Sequence, residues 1–212
     1  KRMNKSASLE DNKRALDILK KHGIYVQAGF ILFDDNTTFE ELKENYEFLR
    51  EYDWIITKGI FSEMFAADGT LYTEKLKKED KIVKNDVYDN NKYEIVDPKV
   101  KLTYNALKKW HKSHMKLYDM IIDPISSPKA IDETGEKSFY DLFYQLKLKD
   151  LDFMKMVLDD VERGITEREL NEKVIAQILG NSEFYSSINR SGQALCEKYN
   201  LNYDGKENPF IR

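Results

Sequence analysis

The sequence predicts an α/β protein, with a βαβ portion over residues 1–82, a loop over 83–97 and a mainly α-helical region over 98–212. Three observations predict it. Residues 24–33 are almost wholly apolar and enriched in Val and Ile, as a strand covered on both faces is. A second apolar run lies within residues 54–65, and an amphipathic helix separates the two. After Asp97 the chain carries only helix-period stripes, caps and stops.

Each element has its own local signal. Ser8 is a suitable N-cap, Ala15, Ile18 and Leu19 follow at helical spacing, and His22-Gly23 supplies the stop, which predicts a helix over residues 9–22. Thr38 with Glu41 forms a capping box, and Phe39, Leu42, Tyr46 and Leu49 mark the buried face of the next helix. Ala66-Ala-Asp-Gly-Thr70 reads as a turn before a short helix through Leu71 and Leu76, and residues 83–97, rich in Asn, Asp and Lys, read as a surface loop. Asp97-Pro98 opens a long helix with Leu107, Trp110, His114, Leu117 and Ile121 on one face, and Asp123-Pro124 is expected to end it. A linker over residues 126–137 leads to a helix opened by Ser138, striped from Phe139 to Val161 and ended by Gly164. Thr166 and Glu169 cap a further helix stopped at Gly180, and a last one covers residues 183–199.

Two strands joined through a helix lie parallel, with a right-handed crossover. A parallel pair this apolar needs neighbours on both sides, and no further strand pattern follows residue 65. The sequence therefore predicts an incomplete sheet, with open edges that favour self-association.

The bulk composition excludes several classes. The 34 Lys and Arg against 38 Asp and Glu give a net charge of -4 with the signs interspersed, so no broad basic surface exists for nucleic acid. No apolar run reaches the ~20 residues that span a bilayer, and no cleavable signal pattern opens the chain, which predicts a cytoplasmic protein with no membrane partner. Cys196 is the single cysteine, so neither a disulfide framework nor a multi-cysteine metal site is present in this sequence.

Several pieces, taken in order and spacing, carry a resemblance. They are Lys1-Arg-Met-Asn-Lys5, the capped helix beginning Leu9-Glu-Asp-Asn12, Gly23-Ile24, Gly29-Phe-Ile-Leu32, Thr38-Phe-Glu-Glu-Leu42, and Ala67-Asp-Gly-Thr70 followed by Leu71. Together they resemble the C-terminal half of a radical S-adenosylmethionine domain, in the Fe-S oxidoreductase branch that often carries a cobalamin-binding domain. The resemblance covers residues 1–76. It implies a fragment of a partial TIM-like (β/α)6 barrel, of which this chain holds the last two strands, followed by a helical tail. The opening Lys1-Arg-Met-Asn-Lys5 fits a start inside a longer protein, whose upstream part is the expected partner.

The resemblance implies reductive cleavage of S-adenosylmethionine to methionine and a 5′-deoxyadenosyl radical, which abstracts hydrogen from a substrate that the sequence does not name. The implied cofactors are S-adenosylmethionine and a [4Fe-4S] cluster, with cobalamin left open. By position, the family's GxIxGxxE motif places Gly29 and Ile31 beside the adenine. Phe33 stands where the motif has its next glycine, and Asp34-Asp-Asn36 replaces the usual PGE turn. The three cluster cysteines of CxxxCxxC are absent, because thiolate ligands belong near the first strand. The chain alone is expected to be inactive, and Cys196 reads as a small buried hydrophobe.

Strand alternation adds a reading independent of the family. Gln27, Gly29 and Ile31 share one face, expected to line the lumen, while Val26, Ala28, Phe30 and Leu32 face the helices. On the second strand Thr57, Gly59 and Glu63 oppose Ile56, Ile60 and Met64. Glu63 then lies near the C-terminal end of a barrel strand, where catalytic groups gather, as a substrate ligand or proton acceptor. The competing reading pairs it with a cation from a strand outside this chain. His111 and His114 read as packing residues rather than a metal pair, and no metal ligand is assigned. A different class also fits the composition: a stand-alone helical interaction module whose short strands pair with a partner or a second copy.

Overall fold

The computed structural model describes residues 8–84, 91–126 and 131–201. The elements run α1 (Leu9–Lys21), α2 (Phe39–Glu51), α3 (Leu71–Lys78), β1 (Ile82–Lys84), β2 (Lys92–Tyr93), α4 (Pro98–Ser126), α5 (Glu133–Glu162), α6 (Glu167–Gly180) and α7 (Ser182–Lys198). The described part is mainly helical, and the helical C-terminal region expected from the sequence is present. The segment Lys1 to Lys5 lies outside the described residues.

Local chemistry explains the helix ends. Ser8 with Asp11, Thr38 with Glu41 and Thr166 with Glu169 each close a capping box, satisfying otherwise orphaned first-turn amides. Two boundaries differ from expectation. Helix α5 begins ahead of Ser138, because Asp132 accepts from the Gly135 amide and Glu133 and Glu136 complement the positive end of the helix. Helix α4 runs through Pro124 to Ser126, since a proline so near the C-terminus forfeits a single backbone bond.

Helices α4 and α5 form the spine. Trp110 stacks on Phe153 at 3.9 Å and Tyr118 meets Phe143 edge-on, a descending order of partners that makes the two helices antiparallel. Asp150, fully buried between them, accepts from Trp110 Nε1 at 2.7 Å, Tyr118 Oη at 2.6 Å and the His114 ring at 3.0 Å. Helix α2 lays Phe39, Leu42, Tyr46 and Leu49 against one end of this spine, and α7 covers the other with Ile188 and Cys196.

The two apolar runs lie beside each other in parallel, but as two separate bridges rather than continuous strands: Gln27 with Ile56 and Phe33 with Glu63. Ile56 donates to the Val26 carbonyl at 2.7 Å and accepts from Ala28 at 2.8 Å, while Met64 donates to Phe33 at 2.8 Å. The first segment takes six steps between the bridges and the second takes seven, so the second bulges. Gly59, at φ +74°, absorbs the extra residue, and a Cβ there would lie 2.5 Å from His111 Nδ1. Burial does not alternate as expected along the second segment either, since Ile55, Ile56 and Thr57 are all buried. On the first segment Gln27, Gly29 and Ile31 are exposed, while Val26, Ala28, Phe30 and Leu32 turn toward the helices.

The expected loop over residues 83–97 instead contains an antiparallel pair, with Ile82 opposite Tyr93. Tyr93 explains why it docks: its hydroxyl donates to the carbonyls of Phe33 and Met64, closing the ends of both parallel segments.

Candidate functional site

The site gathers where the second segment ends. Bridging to Phe33 fixes the Glu63 backbone, and its side chain, 25% exposed, points toward α4 and β2. Tyr104 Oη donates to Glu63 Oε2 at 2.6 Å, and Lys108 Nζ donates to Tyr104 Oη at 2.6 Å. Lys108 and Lys92 stand 3.7 Å and 3.6 Å from Glu63 Oε1, beyond hydrogen-bond length. Lys108 also lies over the rings of Tyr104 and Phe61. One face of α4 supplies this row, since Tyr104, Lys108 and His111 recur at helical spacing.

The environment separates the protonation behaviour of these groups. Burial, and then the Glu63 carboxylate, pushes the Tyr104 hydroxyl well above its ordinary value, so it stays a neutral donor. Burial holds the Lys108 ammonium below its ordinary value against the pull of Glu63. Chained donors of this kind polarise one another, ordering the lysine, the phenol and the carboxylate as a relay. A cleft of about 280 Å³ opens beside them, walled by Glu63, Lys92, Tyr93, Ile95, Lys101 and Tyr104.

At the end of the first segment Phe33 is fully buried, against Phe61 at 5.6 Å and edge-on to Tyr104 at 5.2 Å. It occupies the core beneath the relay. The acidic turn after it is locked by its own side chains: Asp34 accepts from the Asn36 amide at 2.9 Å, and buried Asp35 pairs with Lys81 at 2.7 Å.

The sequence-derived residues separate into two places. Gln27 and Gly29 line a second cleft of about 300 Å³ between the two segments, with Thr57, Gly59 and Ser62 opposite. Gln27 Oε1 accepts from Ser126 at 2.9 Å, and space around Gly29 is open, with nothing within 4 Å of an added Cβ. Ile31 stands 45% exposed on the same face. Glu63 faces the other cleft. Tyr104 and Lys108, on α4, and Lys92, on β2, are not among the site residues read from the sequence; the i, i+4 spacing of Tyr104 and Lys108 puts them on one helix face without pointing that face at Glu63.

The groups implied by the resemblance fit unequally. The open face of Gln27, Gly29 and Ile31 offers one wall to a nucleoside, with backbone approachable at Gly29. The cluster does not fit this chain: Cys196 is its single thiol and is buried, and no group of three metal-binding side chains exists among the described residues. His111 and His114 do not converge on a metal, since His114 is engaged by Asp150 while His111 packs against Gly59 and Phe61. No helix among the described residues is long and apolar enough to cross a membrane.

A parallel ribbon with one open face invites comparison with known enzymes. The chain is similar to an anaerobic magnesium-protoporphyrin IX monomethyl ester cyclase. That protein, from Rubrivivax gelatinosus, is 34% identical over 105 residues, which is 47% of this chain and 17% of the cyclase. The chain thus spans a minor part of the relative it matches. The likeness supports, coarsely, a relationship to radical S-adenosylmethionine enzymes. No family model matches the chain. No solved structure matches it either.

Proposed function

We propose that this chain is the C-terminal portion of a radical S-adenosylmethionine Fe-S oxidoreductase, contributing the last two strands of its partial barrel and a helical tail. One observation carries the reading: on a parallel pair, Gln27, Gly29 and Ile31 stand exposed, with no helix packed over them among the described residues beyond the Ser126 contact to Gln27, while Val26, Ala28 and Phe30 pack under helices. A sheet face left bare in this way suits a lumen completed by other strands. Likeness to the cyclase supports the same family.

In this reading S-adenosylmethionine and a [4Fe-4S] cluster, both held mainly by the upstream part of the protein, would supply the radical chemistry, and cobalamin is left open. The chain's own residues have narrower tasks. Gly29 and Ile31 flank the adenine, and Gln27 orients the edge beside them. Glu63 contacts substrate, with Tyr104 and Lys108 holding its carboxylate and its proton inventory. The partner is the upstream part of the same protein, the substrate is a small molecule or peptide, and the setting is the cytoplasm.

Reading the coding frame upstream of Lys1 tests this directly. A CxxxCxxC motif ahead of the first residue is expected. A complete frame without it would support the interaction-module reading, in which the bare face binds a partner and no catalysis occurs.

A further inference from the structure

Charge is unevenly distributed around the cleft beside Glu63. Lys92 and Lys101 line it with the carboxylates of Glu63 and Glu94, and the Lys108 ammonium reaches the Glu63 carboxylate from behind that lining, at 3.7 Å. Glu63 spends its shorter bond on Tyr104, so Lys92 and Lys108 stand 3.6 Å and 3.7 Å from its other oxygen. Two ammoniums therefore converge on one carboxylate oxygen without hydrogen-bonding to it. Lys108 is about two-thirds covered, lies over two aromatic rings and is depressed by burial, all of which make an anion at its ammonium more valuable than at an open surface. The rest of the wall mixes apolar and aromatic side chains, Met64, Tyr93, Ile95 and Tyr104 among them, with the amides of Asn91 and Asn105.

We propose that this cleft binds an oxyanion, a carboxylate or phosphate, carried on an apolar body, with Lys92 and Lys108 clamping the anion in competition with Glu63. The proposal deepens the substrate side of the function above and rests on Glu63 facing substrate there. It requires neither the cluster nor S-adenosylmethionine. In the absence of ligand Glu63 holds the two lysines in place; an arriving oxyanion accepts from both, and Tyr104 keeps the Glu63 carboxylate oriented. The aromatic wall covers the body attached to the anion.

The test uses the 212-residue chain and three probes of equal body: benzoate, phenyl phosphate and neutral benzamide, titrated by calorimetry at fixed ionic strength. Saturable binding of benzoate or phenyl phosphate, and none of benzamide, is expected; the tighter of the two names the source of the anion. Glu63→Gln, which keeps an acceptor for Tyr104, should bind the better probe about tenfold more tightly, and Lys92→Met and Lys108→Met about tenfold more weakly. Lys58→Met, whose ammonium pairs with Asp119 and Asp123 elsewhere, should leave the affinity unchanged, with circular dichroism checking each fold. Absence of saturable anion binding in both the native chain and Glu63→Gln, or equal binding in the Lys92 and Lys108 variants, overturns the proposal. An upstream frame without CxxxCxxC would remove the radical reading yet leave this binding result standing, so the two fail separately.

Discussion

Asp150 shows most clearly how single residues decide stability here. Its carboxylate is the common acceptor for Trp110, His114 and Tyr118, all on α4 and all buried. Asp150→Ala strands three donors in the core, and a loss of about 3–5 kcal/mol is expected in urea unfolding. An unchanged midpoint would show the network to be idle. Lys147 makes a second residue-scale case: fully buried, it donates to the Ile55 carbonyl, and burial pulls its ammonium down from 10.5 to about 7. Below pH 7 both folded and unfolded chains carry its proton. Between about 7 and 10.5 the unfolded chain keeps a proton that the folded chain has lost, so stability rises with pH across that window. Lys108, also depressed, acts in the same direction. The urea midpoint should therefore climb from about pH 7 to pH 9, below the range where buried tyrosines such as Tyr118 begin to oppose it, and Lys147→Met should flatten the climb. A slope unaltered by Lys147→Met contradicts the assignment.

Among elements, the legible ones are those whose cause is local. Ser8, Thr38 and Thr166 announce their helices within three residues: the capping boxes of Thr38 and Thr166 form as read, and the Ser8 N-cap gains a reciprocal bond from Asp11 that the sequence reading did not include. Replacing Thr38 by Ala should lower stability by about 1 kcal/mol in thermal unfolding, through loss of the bond to the Glu41 amide. Alternation along the first segment was equally legible, because nothing interrupts its extended backbone. The second segment was not: Gly59 turns it at a positive φ, and His111, 52 positions later, fills the place a side chain there would take, a contact no local pattern shows. The β1–β2 pair escaped for a related reason, since the hydroxyl of Tyr93 anchors it to distant carbonyls and its own residues look like loop. Likewise Glu63 was visible as a carboxylate at a strand end, whereas its partners Tyr104 and Lys108 lie on α4, beyond the reach of any local pattern.

At the scale of the molecule, the two edges of the parallel pair are unlike. Ile55 turns its carbonyl away from the first segment, and Lys147 of α5 covers it, so the helical tail seals that side. The Gln27 and Gly29 side carries exposed residues and, with Ile24 and Ile31 each about half exposed, an apolar character that favours association. Concentration-dependent light scattering is expected from the isolated chain; a monomer at every concentration would argue against an incomplete barrel. The central claim is that this face belongs to a radical enzyme, and the yield of 5′-deoxyadenosine from S-adenosylmethionine under anaerobic reduction measures it most directly. The polypeptide read through its full upstream frame should form it and the 212-residue chain should not. Formation by the short chain alone, or none by the cluster-loaded full polypeptide, would contradict the account.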